Sequence, residues 1–71
     1  MSAVEITTEY ITLAQFLKFA GAVMSGGEAK ELIASGAVYV NGEPCLMRGK
    51  KLRGGETVSC LGESYEVRGC I

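Results

Sequence analysis

The sequence contains no histidine, a single proline and only three cysteines. Without histidine, the commonest general base and zinc ligand is missing, and no two of the eight carboxylates have a spacing that suggests an acid/base pair. The cysteines are spaced 15 and 10 residues apart, which fits neither a disulfide framework nor a zinc site; they are Cys45, Cys60 and Cys70. We therefore expect a chain that is not an enzyme and has no metal or cofactor, with Cys60 buried in a strand and the other two partly exposed.

Long hydrophobic runs are also missing, since none approaches the ~20 residues that a membrane-spanning helix requires. The first ten residues carry two acids and no base, unlike a secretory signal or transit peptide. The composition, 48% hydrophobic and 21% charged, is typical of a folded protein. We expect residues 1–71 to form one cytoplasmic domain without a membrane partner, as a monomer with a stability of only a few kcal/mol.

Positive charge is scarce overall but concentrated in one place. The net charge is −1, yet four of the seven basic residues lie within residues 48–53, here called the basic segment: Arg48, Lys50, Lys51 and Arg53. Charges are screened over ~8 Å at physiological salt, so the local potential counts for more than the net charge. The basic segment therefore predicts a local positive patch.

Residues 12–21 have the signals of a first helix. Thr12 precedes Gln15 by three positions, which is the arrangement of a capping box. An apolar stripe at helical spacing follows, formed by Leu13, Phe16, Leu17 and Ala20. Gly21 predicts the C-terminal end of this helix.

Residues 25–36 repeat the same pattern and predict a second short helix packed against the first. Ser25 and Glu28 suggest another capping box, and Gly36 would close the helix. The expected buried face consists of Ala29, Leu32 and Ile33, while Lys30 faces solvent. Two glycines in the first turn would leave backbone N–H groups accessible to an anion, although a tight turn explains them equally well.

The remaining residues favour strands. Residues 3–7, 38–40, 56–60 and 64–70 alternate apolar and polar side chains, and Asn41-Gly42 predicts a hairpin turn with Pro44 at an edge. Gly54-Gly55 predicts a turn, so the basic segment should be a loop or strand end. We expect an α+β fold with two short packed helices followed by a small, mainly antiparallel sheet that the N-terminal strand joins.

The segments "TLAQFLKFAG", "SGGEAKELIASGAVYVNGEP" and "LRGGETVS", taken in order, resemble the small RNA-binding domain named after small-subunit ribosomal protein S-four. Over residues 11–60 the family pattern is supplied by Ala29, Leu32, Ile33, Gly36, Val38, Val40, Asn41, Gly42, Leu52, Gly55 and Val58, with Glu56 where aspartate is usual. The chain looks most similar to stand-alone bacterial members with the alpha-L motif. Some of these associate with ribosomal RNA or assembling ribosomes.

The resemblance implies a structured-RNA interface around the start of helix two, the hairpin turn and the basic segment. Its expected residues are Ser25, Lys30, Asn41, Arg48, Lys50, Lys51 and Arg53. Two cations that are common in the family are replaced here by Thr12 and Gly26, which leaves more of the binding to the basic segment. Tyr39 and Tyr65 could stack on bases, but a half-buried place in the sheet explains them better.

Two other functions fit the same sequence. The basic segment would also suit a protein-binding adaptor that docks an acidic partner. The order of strand, helix and "VNGE" is also similar to sulfur carriers with a ubiquitin-type fold. Those carriers end in Gly-Gly, whereas this sequence ends in Arg68-Gly69-Cys70-Ile71, so this alternative is the weaker one.

Overall fold

The structure is a computed structural model and describes residues 2–69, which leaves Cys70 outside the described residues. Within this range the elements are, in chain order, β1 (Ser2–Ile6), β2 (Ile11–Thr12), α1 (Leu13–Phe19), α2 (Gly26–Ala34), β3 (Tyr39–Val40), β4 (Glu43–Pro44), β5 (Lys51–Leu52), β6 (Thr57–Cys60) and β7 (Glu63–Gly69). The predicted α+β class is confirmed.

Helix α1 begins as its capping signal predicts. The Thr12 hydroxyl accepts a hydrogen bond from the Gln15 N–H at 3.4 Å, and the Gln15 side-chain oxygen accepts one from the Thr12 N–H at 3.3 Å. The helix ends at Phe19, and Gly21 follows with a φ of +81° that favours glycine. Both predicted ends of this helix are therefore confirmed.

Helix α2 has its predicted N-cap, because the Ser25 hydroxyl accepts a hydrogen bond from the Glu28 N–H at 3.2 Å. The second half of the predicted capping box is wrong. The Glu28 carboxylate accepts from the Met24 N–H at 3.3 Å instead, since its side chain extends one residue beyond the cap. Leu32, expected on the buried face, is only partly buried, whereas Ala29 and Ile33 are fully enclosed.

The main sheet has five strands in the order β1-β7-β6-β3-β4. Strand β1 joins it parallel to β7, and the other neighbours are antiparallel. Asn41 and Gly42 have φ values of 52° and 83°, as the predicted hairpin requires, and Pro44 lies on edge strand β4. Strands β2 and β5 form a separate two-stranded sheet that the sequence did not reveal.

The core lies between the two helices and the inner face of the main sheet. It includes Leu13, Phe16 and Leu17 of α1, Ala29 and Ile33 of α2, and Val40, Val58 and Val67 of the sheet. The Tyr65 ring meets Phe16 edge to face with centroids 6.3 Å apart. Tyr65 is thus partly buried as expected, whereas Tyr39 is 41% exposed.

Two cysteine predictions are confirmed, because Cys60 is buried in β6 and Cys45 is partly exposed. Burial raises the pKa of the Cys60 thiol. Burial also raises the pKa of the Tyr65 hydroxyl, and the negative charges of Cys60 and Glu63 raise it further. Neither α1 nor α2, the helices of the described range, is long and apolar enough to cross a membrane.

Candidate nucleic-acid interface

The basic segment is tied to the start of α1 through its backbone. The carbonyl of Lys50 accepts a hydrogen bond from the Leu13 N–H at 2.8 Å, and the carbonyl of Arg48 accepts one from the Ala14 N–H at 3.1 Å. These N–H groups lie in the first turn of a helix and have no partner within it. The segment therefore supplies acceptors for these N–H groups. Its backbone is held in place by these carbonyl groups, which leaves its charged side chains available for other contacts.

The centre of the basic segment forms strand β5. Lys51 and Leu52 pair with Thr12 and Ile11 of β2. Leu52 is completely buried while Lys51 is exposed, because successive side chains of a strand point to opposite faces. The expectation of a loop or strand end is therefore refined to a short strand that holds Lys51 on the surface.

The C-terminal end of the segment is held by Glu56. Its two carboxylate oxygens accept hydrogen bonds from the Arg53 N–H at 2.9 Å and the Gly54 N–H at 2.7 Å. Two backbone hydrogen bonds then join Gly55 and Glu56 to Val67 of β7, at 2.8 Å and 2.9 Å. The predicted turn after the segment is thus anchored on both sides.

A close approach of two backbone segments also requires glycine at position 54. Its φ is +135°, and a Cβ placed on it would lie 2.8 Å from the backbone nitrogen of Gly69. A Cβ on Gly69 would lie 2.5 Å from the Arg53 carbonyl oxygen. Such distances are too short for any side chain, so both positions need glycine for the turn to dock on β7.

Two cations of the segment converge on an aromatic ring that sequence analysis had not singled out. The Lys51 ammonium lies 4.9 Å from the centroid of the Tyr10 ring, and the Arg53 guanidinium carbon lies 5.7 Å from it. These are cation–π distances. Tyr10 is 40% exposed and stands about 40 positions away from the cations in the chain, so only the pairing of β2 with β5 brings them together.

Three acidic side chains lie close to this positive surface, namely Glu9, Glu43 and Glu56. Arg53 forms an ion pair with Glu9 at 3.8 Å between Nη1 and Oε1, and both side chains are more than half exposed. Such a surface pair is worth roughly 0–1 kcal/mol and is easily exchanged for another anion. Glu56 is occupied by the two backbone N–H groups described above, and Glu43 lines a small surface cavity together with Lys50.

Tyr10 also lines an open groove of about 870 Å³ beside the basic segment. Ile11 and Phe19 contribute further apolar walls, and Phe19 is 60% exposed although it belongs to α1. Lys18 is exposed and lines the same groove. An aromatic and apolar surface therefore adjoins the cations, where the sequence alone indicated only charge.

Asn41, expected at the interface, has a structural function in the hairpin. Its N–H donates to the Thr57 carbonyl at 2.7 Å, and its side-chain oxygen accepts from the Thr57 N–H at 3.0 Å. Its side chain is nevertheless exposed, and with Lys50 it lines a small surface cavity of about 340 Å³. The structure thus brings the hairpin turn and the basic segment to one place.

Ser25 and Lys30, the other expected interface residues, lie on helix α2. Ser25 caps the helix and Lys30 is exposed on it. Within residues 2–69, neither side chain makes a hydrogen bond or ion pair to the basic segment. The same range contains no group of three or more side chains placed to hold a metal ion.

The sequence matches a known family of proteins. The model of the S4 domain matches residues 4–68, which extends beyond the 11–60 that carried the resemblance. Over 65 residues the chain is 48% identical to the "Probable ribosome maturation protein RlbA" of Bacillus subtilis (strain 168), covering 90% of this chain and 92% of that protein. The chain belongs to the S4 domain family.

Proposed function

We propose that this chain is a non-enzymatic RNA-binding protein of the bacterial cytoplasm, with residues 1–71 acting as one domain around a core motif at 11–60. The observation that carries the proposal is the basic segment itself. Its cations stand on a backbone fixed by α1, β2 and Glu56, and two of them lie over the ring of an exposed tyrosine. Membership of the S4 domain family supports RNA as the ligand.

Binding would rest mainly on phosphate contacts from Arg48, Lys50, Lys51 and Arg53. All four side chains are exposed, and the Arg53–Glu9 pair is weak enough for a phosphate to replace the carboxylate. Because the backbone of the segment is already ordered, little backbone conformational entropy is lost when RNA binds. A small set of fixed cations suits RNA that is recognised by shape and backbone.

Ser25, Lys30 and Asn41 are proposed as additional contacts on the same RNA. Asn41 stands beside Lys50 at the hairpin turn. Lys30 would add a cation on α2, and Ser25 marks the start of that helix, where the first backbone N–H groups attract anions. An RNA that contacts these residues as well as the basic segment must reach both surfaces at once. A folded RNA of fixed shape can do so, and we therefore propose a structured ligand.

The name of the Bacillus relative refers to ribosome maturation. We therefore propose ribosomal RNA, in a ribosome or in an assembling subunit, as the ligand class. The four cations alone make a weak site, so further contacts from a larger assembly would be needed for stable association.

Crosslinking of RNA to the protein in cells tests this function. The test compares the wild type with a variant in which the four charges of the basic segment are reversed, and with Lys50→Arg/Lys51→Arg, which keeps the charge. We expect RNA recovery from the wild type and the charge-retaining variant, and a loss from the reversed variant. Equal recovery from all three proteins would contradict the proposal, and sequencing of the RNA would identify the ligand.

Docking of an acidic protein is the second candidate function. It is favoured by the exposed side chains of Leu46 and Met47, which are 64% and 66% exposed directly before the basic segment. A protein partner that remains bound after nuclease treatment would support this function over RNA binding. The sulfur-carrier function is not proposed, because residues 4–68 match the S4 domain.

A further inference from the structure

The groove beside the basic segment combines aromatic walls with positive edges. Tyr10 and Phe19 are 40% and 60% exposed, although both are large and apolar enough for a core position. Ile11 and Lys18 also belong to the lining. Because both rings line the same groove together with Ile11, they form one shared apolar surface with a cation beside it, which is the kind of patch that marks a binding site.

We propose that this groove receives one unpaired base of the bound RNA, stacked on the side of the Tyr10 ring that lines the groove. Lys51 and Arg53, which lie over the ring, do not belong to that lining. The inference rests on the proposed RNA-binding function and specifies which RNA would bind best. A nucleobase is flat and apolar on its faces, and it is attached to an anionic phosphate. That combination fits an aromatic wall that has Lys51 and Arg53 within 4.9 Å and 5.7 Å of its ring.

Charge distinguishes this occupant from an apolar peptide segment. Lys18 belongs to the lining of the groove, and Lys51 and Arg53 lie over the Tyr10 ring that forms one of its walls. The acidic residue of the lining, Glu9, is paired with Arg53. A neutral peptide would gain nothing from these cations, whereas the phosphates on either side of an inserted base would neutralise them.

The geometry also predicts that the groove does not distinguish one base from another. Every base has a stacking face, so binding should require an unpaired base without strong preference for its identity. A perfect duplex keeps its bases stacked inside and offers only phosphates. The protein should therefore prefer a duplex with a single bulged base over the same duplex without it.

The test uses two RNA duplexes that differ only by one bulged 2-aminopurine, whose fluorescence reports stacking. The wild type should bind the bulged duplex roughly 5- to 150-fold more tightly, which is the range for stacking of one base on an aromatic side chain. Tyr10→Leu should abolish this preference and the fluorescence change, so that the variant binds the two duplexes with equal affinity. Tyr10→Phe should keep both, and Tyr39→Leu is the control at a tyrosine of equal exposure, 41%.

Several results would overturn the inference. If the wild type binds both duplexes equally, the protein binds RNA without a base pocket, and the proposed function survives alone. If Tyr10→Leu weakens both duplexes to the same extent, Tyr10 only positions the cations. If Tyr39→Leu removes the preference as completely as Tyr10→Leu, the stacking surface is elsewhere. If neither duplex binds, the proposed function and the base pocket fail together.

Discussion

Replacing Glu56 with alanine removes the acceptor of two hydrogen bonds at the end of the basic segment. The donors are the backbone N–H groups of Arg53 and Gly54, at 2.9 Å and 2.7 Å from the carboxylate oxygens. A hydrogen bond to a charged group contributes ~1.5–3 kcal/mol where water is excluded. Here both donor residues are exposed, so water replaces part of the loss.

The expected cost of Glu56→Ala is therefore about 2 kcal/mol in the free energy of unfolding, or about 1 kcal/mol for each hydrogen bond. For a chain of this size that is a large share of a total of a few kcal/mol. Glu56→Gln keeps one carbonyl oxygen as an acceptor and should cost about half as much. Glu56→Asp keeps both oxygens on a shorter side chain and should be the mildest of the three.

Urea unfolding followed by circular dichroism measures these differences at one fixed pH and salt concentration. The matched control is Glu5→Ala, which removes an exposed carboxylate from β1 and should change stability by less than about 0.5 kcal/mol. If Glu56→Ala costs no more than Glu5→Ala, the two hydrogen bonds do not hold the segment. A cost that is identical for alanine, glutamine and aspartate would also contradict the assigned function of the carboxylate oxygens.

Two further predictions concern the turn beside the segment and the buried thiol. Gly54→Ala should destabilise the protein by about 2 kcal/mol or more, because its Cβ would meet the Gly69 backbone and its φ is +135°. A Cβ on Gly49 would meet open space, so Gly49→Ala should change the free energy of unfolding little. Equal destabilisation by Gly54→Ala and Gly49→Ala would refute the close approach. Burial raises the pKa of Cys60, so the unfolded thiol ionises first. The thiol's stabilising contribution should therefore be complete below about pH 8.5 and be lost as pH rises through the folded pKa. A wild type that loses no more stability at alkaline pH than Cys60→Ala would contradict this.

Sequence reasoning succeeded where the signal is local. The pair Thr12 and Gln15 predicted the start of α1 because both partners of the capping box lie within three residues. Asn41-Gly42 predicted its hairpin because few residues adopt positive φ at two successive positions. The start of α2 was found from Ser25, but the partner of Glu28 was not, since a flexible side chain can choose between neighbouring N–H groups.

The parts of the candidate site that sequence reasoning missed depend on contacts between distant residues. The pairing of β2 with β5 joins two short segments about 40 residues apart, and neither has enough residues to show a strand pattern. Tyr10 therefore gave no sign of its cation partners. Gly69 gave no sign of its contact with Gly54 for the same reason, because the need for glycine arises only when β7 meets the turn.

RNA binding through the basic segment is tested most directly by the salt dependence of affinity for a structured RNA. With four to five phosphate contacts, the slope of log K against log salt concentration should be about −3 to −4 for the wild type. Neutralising Lys51 alone with glutamine should make the slope shallower by about 0.7–0.9, and neutralising all four cations should bring it to between zero and about −1. A slope that stays the same in the variant without the four cations would contradict binding through this segment, as would a wild type with no measurable affinity at low salt.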